Sequence, residues 1–292
     1  MALRTHPQDE GASADPIRFR WLGVAGIELR VDGQVLAIDP FFTRPPLRRL
    51  FFGRVQSDSE LIAEHMDRCD YVLITHAHWD HVMDVPEIVR STSATAWGSA
   101  NACRLLSICG VPAEKNRVIH AGDALQLGPY RVQVIPANHR WVPGFQPKDL
   151  APGLEPPLRL RDYQMDGCFS ILVDIEGLRL LNWRSVDADS APRADVLFVG
   201  PHGGRHHCQA LLQGVRPRLV MPIHWDDFFR PLREEIRPCW RAPRWALPPF
   251  ARVNLARLKR TIEQIDPQVK VLIPEILHTY GLRRCLSETQ RS

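Results

Sequence analysis

The sequence predicts a folded, mixed α/β protein on three observations: short apolar runs bounded by turn residues, helix-compatible stretches alternating with them, and a composition near the soluble average. Of its 292 residues, 45% are hydrophobic and 24% charged, enough to bury a sizeable core and too apolar for wholesale disorder. No run approaches the ~20 apolar residues of a membrane span. Lys and Arg number 37 against 33 Asp and Glu, and a surplus of +4 does not point to a nucleic-acid partner. Seven cysteines without a C-x-x-C pair suit reduced thiols better than a disulfide framework or a zinc finger. The stretch from Met1 to Asp15 is polar, with no signal-like apolar run, so a cytoplasmic location is expected.

After a polar tail over 1–16, Ile17–Leu22, Ala25–Val31 and Val35–Ile38 read as a β-meander, with Asp32-Gly33 as a hairpin turn. Pro40 to Gly53 lacks periodicity and is expected to be a surface loop, in which Leu50-Phe51-Phe52 hints at a buried interface and so at a homo-oligomer. Ser57–Arg68 is helix-compatible. Tyr71–Ile74 is a compact apolar strand leading into Thr75-His76-Ala77-His78-Trp79-Asp80-His81. Asp84, Pro86 and Glu87 form the pattern of a capping box opening a helix through Arg90. Ala94–Trp97 reads as a strand, Ser99–Cys109 as a helix stopped by Gly110, and Arg117–His139 as short strands. The Pro- and Gly-rich stretch from Arg140 to Arg161 reads as an insertion, either a lid over a site or a solvated loop. Cys168–Ile175, Leu178–Leu181, Val196–Val199, Leu219–Pro222 and Val269–Ile273 complete the strands, with a helix over Val253–Ile265.

The chemistry concentrates in His76-x-His78-x-Asp80-His81. On a chain leaving a strand, side chains at i and i+2 share a side, so His76 and His78 can bind one ion. Asp80 and His81, in the turn that follows, can face a second.

These residues resemble the metallo-β-lactamase fold superfamily. Asp39 after the strand Leu36-Ala37-Ile38 matches its first motif, the HxHxDH run its second, His139 after Val134-Ile135-Pro136 its third, and His224 after Val220-Met221-Pro222 its fifth. The resemblance runs from residue 17 to about 228, and Trp21-Leu22-Gly23 with His224-Trp225-Asp226 looks most like the branch of ascorbate-6-phosphate lactonases and N-acyl phosphatidylethanolamine phospholipase D. It implies a four-layered αββα sandwich, one domain over 17–292. It also implies that His76, His78 and His139 hold one metal, and Asp80, His81 and His224 the other, with Asp39 orienting a ligand histidine. The chain departs from the superfamily at the fourth motif, where a bridging Asp is usual and Arg184 or Ser185 stands instead; Asp187 and Asp189 are the nearest carboxylates.

A site of this kind suits one or two Zn²⁺ ions, with Mn²⁺ or Fe²⁺ as rivals. Metal-bound water ionises near pH 7, so a metal-bound hydroxide oriented by Asp80 is the expected nucleophile. The function expected is hydrolysis of an ester, lactone or phosphodiester of a small or lipid-like anion. An iron-dependent redox member of the same fold and a non-catalytic ligand-binding protein are the alternatives. His202, Arg205, His206 and His207 follow a predicted strand and are candidates to meet the substrate's anionic group. The arginine-rich stretch from Arg230 to Arg260, with Trp240, Trp245 and Phe250, reads as a solvated basic face or a phosphate- or membrane-binding one.

Overall fold

The structure is a computed structural model describing residues 15–140, 146–201, 203–241 and 251–287. Its first sheet has the order β16-β1-β2-β3-β4-β5-β6, built from β1 (Ile17–Gly23), β2 (Gly26–Val31), β3 (Gln34–Ile38), β4 (Tyr71–Leu73), β5 (Thr95–Gly98), β6 (Asn116–Val118) and β16 (Thr279–Gly281). The second has the order β15-β12-β11-β10-β9-β8-β7, from β7 (Ala124–Leu127), β8 (Tyr130–Pro136), β9 (Phe169–Ile175), β10 (Leu178–Trp183), β11 (Val196–Val199), β12 (Leu219–Pro222) and β15 (Lys270–Val271). A separate two-stranded ribbon joins β13 (Trp240–Arg241) to β14 (Ala251–Arg252).

Alternation along the strands builds the layers. Phe19, Trp21, Ile27, Leu29 and Leu36 of the first sheet meet Val132, Val134, Ile171, Val173, Phe198 and Met221 of the second in one buried core. Leu22, Val72, Ile74 and Ala96 face the other way, under α1 (Ser59–His65), α2 (Trp79–Val82), α3 (Val85–Thr92) and α4 (Ala100–Ile108). On the far side, Leu172, Leu181, Leu197 and Val220 are covered by α5 (Arg205–Val215) and α6 (Leu255–Ile265). The result is the expected αββα sandwich. A last helix, α7 (Leu282–Ser287), packs against β1.

Several local expectations are corrected. Asp84 precedes α3, but its carboxylate does not cap it. Instead Asp84 Oδ2 accepts from the backbone N–H groups of Phe42 (2.7 Å) and Thr43 (2.8 Å), tying the expected surface loop inward, where Phe41 and Phe42 are fully buried. Of the expected tail, residues 1–14 lie outside the described residues, while Asp15 is anchored by accepting from the N–H groups of Ile17 and Arg284. The described part of the Arg140–Arg161 insertion is mostly exposed, as a solvated loop would be, but it is pinned at three apolar points. Leu150, Leu158 and Leu160 are buried with the α1–α4 layer, and Asn101 Nδ2 donates to the Lys148 carbonyl at 2.8 Å; residues 141–145 lie outside the described residues. Among the described residues no helix is long and apolar enough to cross a membrane, and the seven cysteines carry free thiols.

Candidate metal centre

Strands β8, β10, β11 and β12 run in one direction, and their C-terminal ends share an edge with the end of β4, the place where α/β sheets leave room for a site. The chain leaving β4 stays extended to His78 (φ −71°, ψ 153°) and then turns into α2. Within that stretch His76 Nε2 lies 3.1 Å from His78 Nδ1. Two ligands of one tetrahedral ion with bonds of about 2.1 Å would stand about 3.4 Å apart. His139, three residues past β8, completes the group, and donor atoms of His76, His78 and His139 all lie within 4.8 Å of one another. Asp80, His81 and His224 form a second group of the same compactness. There Asp80 Oδ2 is 3.5 Å from His81 Nε2 and 3.3 Å from His224 Nε2.

The supporting hydrogen bonds select the ring nitrogen that each group offers. Asp39 Oδ2 faces His81 Nδ1 at 2.8 Å and accepts from Thr75 Oγ1 at 2.6 Å. Thr75 Oγ1 in turn lies 3.0 Å from His76 Nδ1. One carboxylate therefore orders both rings, presenting Nε2 of each toward the cluster. His139 is turned likewise, its Nδ1 2.6 Å from the Arg140 carbonyl that it donates to. Asp39 (φ 48°) and His224 (φ 56°) both sit in the left-handed region, a conformation costly for residues other than glycine and tolerated where tertiary contacts impose it. We expect Asp39→Asn, which keeps the size but removes the ionic acceptor, to weaken metal affinity about 10- to 100-fold. Competition with a chelator measures this, and unchanged affinity would remove Asp39 from the role.

Trp21-Leu22-Gly23 and His224-Trp225-Asp226 meet in space. The Val24 carbonyl accepts from His224 N–H (2.6 Å) and Trp21 Nε1 (3.1 Å), and the Trp21 and Trp225 rings lie 5.0 Å apart. Asp226 returns the contact by accepting from Val24 N–H at 2.9 Å. A wall of aromatic rings missed in the sequence stands alongside. Trp79, inside the histidine motif, packs on Phe41, Phe228 and Phe229 at 5.3 to 5.5 Å, and Phe228 lies 6.0 Å from His224. Only the alternation of Trp79 with the motif histidines could have signalled it.

Burial governs the charge state of the cluster. It pushes His76 well below its ordinary value, helped by the neighbouring His81, His78 and His139 and by Arg184. Burial brings His139 down to about 3, with His78, Arg184 and His81 adding to it. His224 is lowered for the same first reason. At Asp80 burial opposes ionisation, but His81, His224 and His78 outweigh it and hold the carboxyl below its usual range. Neutral imidazoles and an ionised carboxylate are the protonation states that bind a divalent cation, so the donor set fits one. The sign for stability follows: unfolded imidazoles take up protons near pH 6.5, whereas folded His76 and His139 do so only well below. The unfolded state thus binds more protons in between, and the metal-free protein should lose stability steadily as pH falls from about 6.5 towards 3. Calorimetric melting at successive pH values checks this; a Tm constant down to pH 5 would contradict it.

At the fourth-motif position the structure decides between the two residues. Ser185 turns away, its Oγ accepting from the backbone N–H of Asn138 (3.1 Å) and of Asp187 (3.2 Å), which braces the loop before His139. Arg184 turns in, with Nη2 3.5 Å from His81 Nε2. Asp187 and Asp189 are exposed, and Asp187 accepts from Asn138 Nδ2. Neither belongs to the donor groups. The substrate candidates are not brought to the cluster. Arg205 is exposed on α5, donating to Gln264 at 3.2 Å; His206 is exposed; and His207 lines a small apolar pocket between α5 and α6. His202 lies outside the described residues. Arg230, Arg233 and Arg237 of the basic stretch pair with Glu234, Glu64 and Glu235, and Arg252 stacks on Trp240 at 4.5 Å. Arg244, Trp245 and Phe250 lie outside the described residues.

Residues 35–153 match the family model of the beta-lactamase superfamily domain. A UPF0173 metal-dependent hydrolase of Cupriavidus taiwanensis is 30% identical over 70% of this chain and 73% of its own. One of Pyrobaculum arsenaticum is 27% identical over 73% of this chain and 85% of its own. Among solved structures, Igni18, a metallo hydrolase of Ignicoccus hospitalis, superposes with a TM-score of 0.57 at 19% identity, covering 90% of this chain and 97% of that one. The metallo-beta-lactamase fold protein YhfI of Bacillus subtilis does so with 0.55 at 10% identity, covering 91% and 100%.

Proposed function

The chain belongs to the UPF0173 metal-dependent hydrolases of the metallo-β-lactamase superfamily, and from that premise we propose that it hydrolyses an ester, lactone or phosphodiester of a small or lipid-like anion. The observation that carries the reading is the convergence of His76, His78 and His139, whose donor atoms lie within 4.8 Å of one another, with burial holding His76 and His139 neutral. Three protein ligands with a position left open is the catalytic arrangement for Zn²⁺, and Mn²⁺ or Fe²⁺ accept the same donors. When bound, such an ion supplies water ionised near pH 7 and polarises the oxygen under attack.

The chain's own groups do the rest. Asp80, ionised and 3.3 Å from His224 Nε2, is the group we assign to orient the attacking water and accept its proton. Asp39 holds His81 and, through Thr75, His76 in register. The Trp79, Phe228 and Phe229 wall supports an apolar portion of the substrate beside the reacting bond. Protein purified without added metal should carry zinc or manganese and should cleave members of a panel of carboxylic esters, lactones and phosphodiesters. Chelation should abolish that turnover and Zn²⁺ restore it. Turnover indifferent to chelation would refute the proposal, and bound iron with oxygen-dependent turnover would replace it by the redox reading.

A further inference from the structure

Arg184 differs from the buried Arg44 and from the half-buried Arg20 and Arg30. Arg20, Arg30 and Arg44 each meet a carboxylate, of Glu28, Glu28 and Asp226 respectively. Among the described residues Arg184 has no ion-pair partner, although it is only partly exposed. Its placement is imposed by the fold. It is the first residue past β10, at the edge from which His139 and His224 also project, and its backbone N–H is fixed by donating to Ser170 Oγ at 2.9 Å. Its guanidinium reaches His81 Nε2 at 3.5 Å, the nitrogen that a second cation would take.

The electrostatics of the two candidate occupants differ. Two dications a few ångströms apart repel, and a bridging carboxylate ordinarily offsets that repulsion. Here the six donors include one carboxylate, Asp80, and a fixed positive charge stands where the bridge would be. The same charge favours an anion. A guanidinium without an acid partner presents a planar fork of N–H donors that matches two oxygens of a carboxylate or phosphoryl group. Beside buried groups such as His76 and His81 such a charge-assisted pair is stronger than at the surface.

We propose that Arg184 is an oxyanion receptor built into the second cation position, so that one metal ion, at His76, His78 and His139, and one arginine hold a substrate through its carboxylate or phosphoryl oxygens. This rests on the hydrolase reading above for the word substrate, but not for the receptor itself.

The test titrates inorganic phosphate and, separately, acetate into the wild type, Arg184→Met and Arg184→Lys by calorimetry, each in metal-free and in zinc-loaded form, with zinc per chain measured in parallel. Arg184→Met should weaken anion binding at least about tenfold in both forms, and Arg184→Lys, a single point charge without the fork, about threefold. A larger loss for phosphate assigns a phosphoryl group, and a larger loss for acetate a carboxylate. The wild type should bind one zinc tightly, and Arg184→Asp should bind two. Equal anion affinity in wild type and Arg184→Met would overturn the proposal, as would two equally tight zinc ions in the wild type. If Arg184→Met fails to fold, Arg184→Lys decides by the same comparison. A wild type that binds no zinc yet shows arginine-dependent anion binding would overturn the hydrolase reading and leave the receptor standing.

Discussion

Replacing His78 by alanine is expected to remove the bound metal and, with it, about 10³-fold or more of kcat/KM, equivalent to about 4 kcal/mol of transition-state stabilisation. The expectation is large because His78 stands between the two other proposed ligands of one ion: its ring packs 4.6 Å from that of His76 and 4.9 Å from that of His139. It is also separable from folding. His78 precedes α2 without capping it through its side chain, so alanine there removes a ligand and leaves the helix start intact. Circular dichroism should therefore be unchanged while metal content drops below one ion per chain. An active, metal-loaded His78→Ala protein would refute the ligand assignment. The contrast with Asp39→Asn is informative, since a group that orients a ligand costs one or two orders of magnitude where the ligand itself costs more.

Asp226→Ala should produce the largest loss of stability. Its side chain is 0% exposed and that of Arg44 1%, with Oδ2 accepting from Arg44 Nη2 at 2.6 Å. Removing one partner leaves the other charge buried and unpaired, a cost of about 3–5 kcal/mol, or roughly 10 °C in Tm for a chain of this size. The damage should spread to the metal centre, because Asp226 also anchors Val24, whose carbonyl accepts from the His224 N–H. Pairing the change with Arg44→Met removes both charges and should recover part of the Tm. A double variant no more stable than Asp226→Ala alone would show that the buried pair is not the cause.

The candidate donor cluster was largely legible because its densest part is local. Four potential donors fall within six residues after an apolar strand, and the strand-terminal His139 and His224, with Asp39 beside His81, follow by their resemblance to the superfamily pattern; the structure converges the six potential donors into two compact groups. Elements whose stability is borrowed from afar were not legible. β16 carries only Thr279, Tyr280 and Gly281 and exists as a strand because it pairs with β1. The start of α5 was not legible either, since its first turn, Arg205-His206-His207, has little apolar content and the helix is held by Leu211, Leu212 and Val215 beyond it.

By itself, then, the sequence determined the mixed α/β class and the candidate metal motif, since both are written in short-range periodicity and spacing, while the layering followed from the family resemblance. Three things were decided only in the tertiary structure. Asp84 reads as a helix cap, yet its carboxylate serves N–H groups more than forty residues back in the chain, at Phe42 and Thr43. Asp226 reads as the end of a motif, yet its partner Arg44 is 182 residues away. Arg184 and Ser185 were interchangeable candidates for one position, because neighbours on a chain leaving a strand point opposite ways and the sequence does not say which way is inward. The register of β10 against β9 and β11 sets that direction: it turns Ser185 to the backbone of Asn138 and Arg184 to the ring of His81. A one-residue slip of register would exchange them and put a neutral hydroxyl where the positive charge now stands.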